Sequence, residues 1–433
     1  MELQDSGKET MIWSMYGLKS NPFSIAPILV KGGDLPPSCF VGRKEELQKL
    51  SKQFRSTGGS RTLVMGDVGV GKTSFVNVAR YKAIDNGTHF SPLQEIAVQE
   101  GWEPKDFIMN TFYAIYSTIV GESSENMLKR ETLKNLQSLV DISVPSGGGF
   151  SFSVLGNGVG VSSNRSEQIR LTSLGLIDLF KKIINEIYDK KGKEVILHYN
   201  NLERIKETKI RSLFEDLRDF MQTPHVHFVF VGNYIVGSVL NSLQRVSSIL
   251  SENIQIKKLT IQEVKEIIDL RLKFLAIPGL NITKPYEESA LKVLYELYDG
   301  NIRDILNSMG TAVITITTNL PIKLNANDTA SILKKIAEER LKNANLQPKA
   351  KEIVKEMAKH TEITNKGLAD ATNTRRPNIS SYLKDLYEAG FVVVKRKNGK
   401  DKYWAVEPRL KWLLLEESRR TADLSLNEFL YGK

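Results

Sequence analysis

The sequence is short of several things, and each absence narrows what the protein can be. It has a single cysteine, Cys39, in 433 residues. One thiol forms no intrachain disulfide and builds no cysteine-based zinc cluster, which points to a reducing, cytoplasmic setting. Long apolar runs are missing too. None reaches the ~18 residues that a membrane-spanning helix requires, so no membrane partner is expected. The opening Met1-Glu2-Leu3-Gln4-Asp5 is acidic and does not read as a secretory signal. A disorder-prone composition is also lacking: 41% hydrophobic and 25% charged residues are ordinary for a chain that buries a core. The length exceeds what one core usually serves and predicts two or three domains.

The excess of charge is modest, 60 Lys/Arg against 50 Asp/Glu, for a net of +10. Its location is more informative than its size. Residues 333–412 hold 19 Lys/Arg and 10 Asp/Glu, a net of +9, and the remainder is close to neutral. A solvated helical face accounts for mixed charge; a nucleic-acid-binding module on a neutral body accounts for its concentration.

The strongest local pattern is Gly66-Asp67-Val68-Gly69-Val70-Gly71-Lys72-Thr73-Ser74. It fits G-x-x-x-x-G-K-[ST], with an apolar strand (Thr62 to Met65) before it and a helix (Ser74 to Lys82) after it. Glycines let backbone N–H groups approach phosphates closely, and the helix N-terminus adds partial positive charge. Lys72 is suited to the β and γ phosphates, and the Thr73 hydroxyl to Mg²⁺. ATP and Mg²⁺ are therefore the expected cofactors.

Two upstream segments, Tyr16-Gly17-Leu18-Lys19-Ser20-Asn21-Pro22-Phe23 and Phe40-Val41-Gly42-Arg43-Lys44-Glu45-Glu46-Leu47, resemble the lead-in of AAA+ ATPases. The branch they resemble is that of the origin-recognition and replication-initiator proteins and their mobile-element relatives. The resemblance implies that the Val-Gly-Arg segment lies near adenine; read alone, it is also a plain amphipathic helix start. It implies acids at the end of the strand Lys193 to Tyr199, where the chain instead has Asn200-Asn201-Leu202-Glu203. An Asn carbonyl oxygen can meet a metal, but the amide has no charge and takes no proton. Asn200 is thus the expected metal contact beside Thr73, and Glu203 the nearby carboxylate. Slow or partner-dependent hydrolysis is expected. Further on, Asn233 after the strand His225 to Val231 resembles sensor 1, Arg245 an arginine finger, and Arg303 in Gly300-Asn301-Ile302-Arg303 sensor 2. Each has a plainer reading: a turn, a surface arginine, a helix start. An arginine finger implies self-assembly through the AAA+ domains.

After Leu139, Phe150, Phe152 and Val154 alternate with serine, and glycines surround them, the pattern of a hairpin. Without charge before Arg165, a surface loop or oligomer contact is as good a reading as a DNA contact. Beyond Gln347-Pro348 the pattern becomes helix (Lys349 to His360), helix (Asn365 to Ala371), helix after Pro377, and strands Phe391 to Lys397 and Lys400 to Val406 about Asn398-Gly399. That order is a winged helix-turn-helix and resembles the C-terminal domain of the initiator family. Arg375 and Arg376 stand at the start of the recognition helix, the end that enters a major groove. Asn378, Ser380, Ser381 and Lys384 face outward on it. The wing adds Lys395, Arg396, Lys397 and Lys400. Duplex DNA is the expected partner.

The expected organisation is therefore a lead-in segment (1–39) and an α/β P-loop AAA+ domain with parallel sheet and flanking helices (40–256). The hairpin-like insertion falls within it at about 140–165. A helical lid (257–345), a winged helix-turn-helix (346–412) and a tail (413–433) follow. The expected function is nucleotide-controlled DNA binding of replication-initiator type. The alternatives are a helper ATPase of a mobile element or anti-phage defence system, and a non-hydrolysing transcription regulator or scaffold with a protein partner.

Overall fold

The computed structural model describes residues 11–143, 173–398 and 401–419. The hairpin expected at about 140–165 lies outside them from residue 144 onward, as does the tail from 420. Contacts divide the chain into two units: Ala26–Lys257, and residues up to Ile25 together with Lys258 onward.

The first unit is a parallel α/β layer structure. Its elements are α1 (Lys44–Phe54), β1 (Gly59–Met65), α2 (Lys72–Asp85), β2 (His89–Phe90), β3 (Ile96–Ala97), α3 (Pro104–Gly121) and α4 (Arg130–Ser143). Then come α5 (Ser173–Lys191), β4 (Glu194–Asn200), α6 (Glu207–Asp216), β5 (Val226–Gly232), α7 (Tyr234–Ser242) and β6 (Glu252–Gln255). The sheet runs β2-β4-β5-β1-β6, with β3 also on β4, and every pairing is parallel. Parallel strands need helical crossovers, which cover both faces, so β5 is buried along its whole length.

Alternate residues feed two cores. Leu63, Leu197, Tyr199, Phe228 and Phe230 pack with Phe107, Phe112 and Phe180 from α3 and α5. Val64, Ile196, Val229 and Val231 face the other way, onto Leu50 and Phe54 of α1 and Phe75, Val76 and Ala79 of α2. Each such buried side chain contributes roughly 1.5–3 kcal/mol.

The second unit holds α8 (Ile261–Phe274), α9 (Glu288–Tyr298), α10 (Ile302–Ile316) and α11 (Ala326–Asn343). Thr260 accepts from the Glu263 N–H while Glu263 returns to the Thr260 N–H, the reciprocal cap that starts α8. The lead-in segment is built into this helical group. Tyr16 Oη donates to the Ile322 carbonyl at 2.8 Å and accepts from the Ile322 N–H at 3.1 Å. Gly17 has φ +76°, and a Cβ there would lie 2.6 Å from the Asn281 carbonyl oxygen, so only glycine fits. Arg271 donates to the carbonyls of Pro22 and Ser24.

The same unit continues with α12 (Pro348–Ala358), β7 (Ile363–Thr364), α13 (Asn365–Ala371), α14 (Arg376–Glu388), β8 (Val392–Asn398), β9 (Asp401–Val406) and α15 (Pro408–Arg419). Ile353, Leu368, Ile379, Leu383 and Leu386 form its core, joined by Leu410, Leu413 and Leu414 of α15. The antiparallel sheet runs β7-β9-β8, its first strand too short to be marked by sequence pattern. Asn398 pairs with Asp401, so β8 runs one residue past the expected strand end, into the first position of the expected turn. The expected parallel α/β sheet with flanking helices around a P-loop, and the C-terminal helix-turn-helix with its two-stranded hairpin, are the architecture observed. No helix among the described residues is long and apolar enough to cross a membrane.

Candidate nucleotide site and nucleic-acid interface

Because β1, β4 and β5 run in parallel and in register, their C-terminal ends share one edge. The P-loop leaves β1 there, Asn200-Asn201 leaves β4, and Asn233 leaves β5. The loop is tightly made. Gly69 and Gly71 have φ near +88°, and a Cβ on Gly66 would lie 2.8 Å from the Ile256 carbonyl oxygen. Lys72 is buried and donates to the carbonyls of Gly66 and Asp67 at 2.9 and 2.8 Å. An arriving phosphate offers this ammonium a charged acceptor in place of two neutral ones, a stronger bond.

Asn200 Nδ2 lies 3.0 Å from Thr73 Oγ1, and Asn200 Oδ1 accepts from the Asn201 N–H at 3.0 Å. That second bond fixes which way the amide points, since a flip would set two donors face to face. The oxygen expected to face a metal is thus turned to the backbone, and an N–H faces Thr73. The Thr73 hydroxyl can ligate Mg²⁺ beside a nucleotide. Asn200 as oriented does not fit that role, so this pair offers a metal one neutral oxygen. Asn201 has φ +63°, the left-handed conformation that Asn tolerates best among non-glycines. In Glu203, Oε2 is buried with no hydrogen-bond partner among the described residues. This carboxylate and Asn233 line an open cleft of about 400 Å³ with Ile205, Ile210 and Val236. Asn233 Oδ1 caps α7 by accepting from the Val236 N–H. Arg245 is exposed in the short helix Gln244–Ser247. Arg303 is exposed in the first turn of α10, whose N-cap is Asn301.

Two arginines have roles here that sequence pattern does not reveal. Arg43, in the left-handed region (φ +56°), donates to the carbonyl oxygens of Val70 and Gly71, bracing the P-loop from outside. Arg80 of α2 is fully buried. It donates to Asn77 Oδ1 at 2.8 Å, to Ser91 Oγ at 2.9 Å and to the Pro92 carbonyl. Burial lowers its pKa to about 10, although Glu95 opposes the shift. Burial, and then the charge of Arg80, hold His198 of β4 well below its ordinary pKa, hence neutral. Asn77 also donates to the Ile28 carbonyl, and Ser74 Oγ accepts from the Ile28 N–H, tying the P-loop helix to the segment before it.

This geometry accompanies a direct match: residues 57–242 match the KAP family P-loop domain. Residues 57–242 are a P-loop NTPase domain. Residues 347–394 match the bacterial regulatory protein, arsR family, across the helix-turn-helix that follows this P-loop domain. No curated protein matches the chain. Among solved structures, the Aeropyrum pernix ORC1 protein in complex with DNA is 14% identical at a TM-score of 0.48, covering 92% of this chain and 97% of that one. The Aeropyrum pernix ORC2 protein in ADPNP–ADP complexes is 14% identical at 0.49, covering 92% and 97%. Cdc6p from Pyrobaculum aerophilum is 16% identical at 0.43, covering 93% and 100%.

In the helix-turn-helix, Ile379, Leu383 and Leu386 are fully buried while Arg375, Arg376, Asn378, Ser380, Ser381 and Lys384 are exposed on the opposite side of α14. Arg375 is the N-cap and Arg376 the first helical residue. Ser380 is less free than expected. It accepts from Asn365 Nδ2 at 2.9 Å, and Asn365 Oδ1 accepts from the Trp404 indole at 2.7 Å, linking α14, α13 and β9. Lys395 is exposed on β8. The side chains of Arg396 and Lys397, and the whole of Lys400, lie outside the described residues.

Proposed function

We propose that this protein is an ATP-operated switch that controls its grip on double-stranded DNA, assembling with copies of itself and hydrolysing ATP slowly. The observation that carries the reading is the Asn200 amide on Thr73. A carboxylate there would attract Mg²⁺ and accept a hydrogen bond from the attacking water; an N–H does neither. The P-loop and Lys72 keep what phosphate binding needs, so binding outlasts fast turnover. When bound, Mg²⁺ would neutralise phosphate charge, with Thr73 as its protein ligand. Arg43 holds the loop's carbonyls outward, and Lys72 exchanges those of Gly66 and Asp67 for phosphate oxygens.

The DNA half rests on the matched helix-turn-helix and on the exposed row from Arg375 to Lys384. Affinity is expected to come mainly from phosphates. Arg303 and Arg245 are assigned to nucleotide sensing and to a neighbouring copy, in a replication-initiator-like role. A second reading, a regulator or scaffold that never hydrolyses, is favoured by the same Asn200-Asn201 pair. The deciding experiment measures ATP affinity, turnover and duplex binding together. ATP binding lost in Lys72→Ala, slow wild-type turnover and nucleotide-dependent DNA affinity support the switch. Brisk hydrolysis that survives Lys72→Ala rejects this site; zero turnover with intact binding selects the regulator.

A further inference from the structure

Three of the chain's five histidines gather at the end of the sheet opposite the P-loop. Strand register brings them there. His89 of β2 pairs with Glu194 of β4, and Ser60 of β1 with His227 of β5; His225 immediately precedes β5. One ligand atom from each of His89, Glu194 and His227 lies within 4.8 Å of the others. His89 and His227 are buried and Glu194 is partly buried, so this is not a loose surface group of acids.

We propose that His89, Glu194 and His227 form a structural zinc site that cross-links β2, β4 and β5, its fourth position open to water. Two imidazoles and a carboxylate suit Zn²⁺. Tetrahedral bonds of about 2.0–2.2 Å set ligand atoms roughly 3.3–3.5 Å apart, so the His227–Glu194 pair opens by roughly 0.6–0.8 Å while separations nearer the 4.8 Å limit close. His227 Nε2 now meets Glu194 Oε2 at 2.7 Å. The metal takes the place of the proton between them, which moves to His227 Nδ1 and is donated to Ser60 Oγ. His89, held by the Phe54 carbonyl and the Thr88 hydroxyl at 2.8 Å each, gives up one of these bonds.

The surroundings already orient the ligands, as metal sites require. Ser60 Oγ meets His227 Nδ1 at 2.9 Å, leaving Nε2 toward the carboxylate. Glu194 Oε1 accepts from the Gly58 N–H at 2.9 Å and faces His225 Nδ1 at 3.3 Å. The site lies about 20 Å from the nucleotide edge, the length of a seven-residue strand. Its metal is therefore independent of any Mg²⁺ that accompanies ATP.

The test uses the full chain, stripped with chelator and dialysed against Zn²⁺, with metal per chain measured by mass spectrometry. One zinc per chain is expected, with a rise in Tm, and both should persist in Lys72→Ala. Replacing Zn²⁺ by Co²⁺ should give visible absorption of tetrahedral intensity without a thiolate band. Glu194→Gln combined with His89→Gln should lose the metal and the Tm rise. Ser60→Ala, which keeps all three ligands, should weaken zinc binding roughly 10–100-fold. Should the double variant fail to fold, the wild-type cobalt spectrum and the Ser60→Ala titration decide. A wild-type chain that takes up no zinc, a thiolate band from Cys39, or zinc lost in Lys72→Ala overturns the assignment. The cluster is then a hydrogen-bonded clasp only.

Discussion

The Asn200 side chain donates to the Thr73 hydroxyl at 3.0 Å, so the strand that ends at the nucleotide site meets the P-loop through two neutral groups. Asn200→Asp changes one atom and restores a negative charge. A charge-assisted bond in place of a neutral one gains about 1–1.5 kcal/mol, or roughly five- to tenfold in rate where it acts on the transition state. Steady-state ATP hydrolysis with Mg²⁺ should rise by that order. Turnover equal to the wild type would mean that this strand end does not limit the chemistry.

Arg80 is a second consequence of burial. Arg80→Met removes the fork that satisfies Asn77, Ser91 and the Pro92 carbonyl. Stranding buried acceptors costs about 1–3 kcal/mol each before relaxation, so urea unfolding should show a loss of about 2–4 kcal/mol. Arg80→Lys should recover only a small part, because a single ammonium cannot reproduce the planar fork. Full rescue by lysine would show that charge alone matters.

For the helix-turn-helix, replacing Arg375, Arg376, Arg396 and Lys397 by Ala should weaken duplex binding. The slope of log K against log salt should flatten by about 0.9 for each phosphate that is no longer neutralised. Fluorescence anisotropy across a salt series reads both. An unchanged slope with unchanged affinity would remove DNA from the reading.

Asp304 supplies a pH signature. Burial, and then the charge of Glu407, raise its pKa; Arg409, Arg303 and Lys395 oppose the rise. A carboxyl whose folded pKa is raised contributes stability below its unfolded value, and that stability is lost as pH climbs through the folded value. Asp304→Asn removes the loss. Its Tm should exceed the wild type's at about pH 7, and the gap should narrow toward about pH 4. A gap that widens on acidification would reverse the sign.

Much of the architecture was legible because its signals are local. Pro348 at the start of α12 and the glycine-lysine-threonine loop each lie within one turn of what they determine. What escaped depends on distant partners. Arg43 reaches Val70 across 27 residues, and Arg80 meets His198 across 118. The His89–Glu194–His227 group needs the strand register before it exists at all. Asn200 was legible as a departure from acid, but its amide orientation was not, since the Asn201 N–H decides it.

The bond between Tyr16 and Ile322 spans 306 residues and joins an early segment to a late one. On the ribosome, the Ala26–Lys257 unit can therefore close before the segment ahead of it has a place to go. At about 5–20 residues per second, Tyr16 waits roughly 15–60 s for its partner. Through that interval Phe23 lacks the Tyr286 ring and Tyr16 the Ile322 backbone that they later meet.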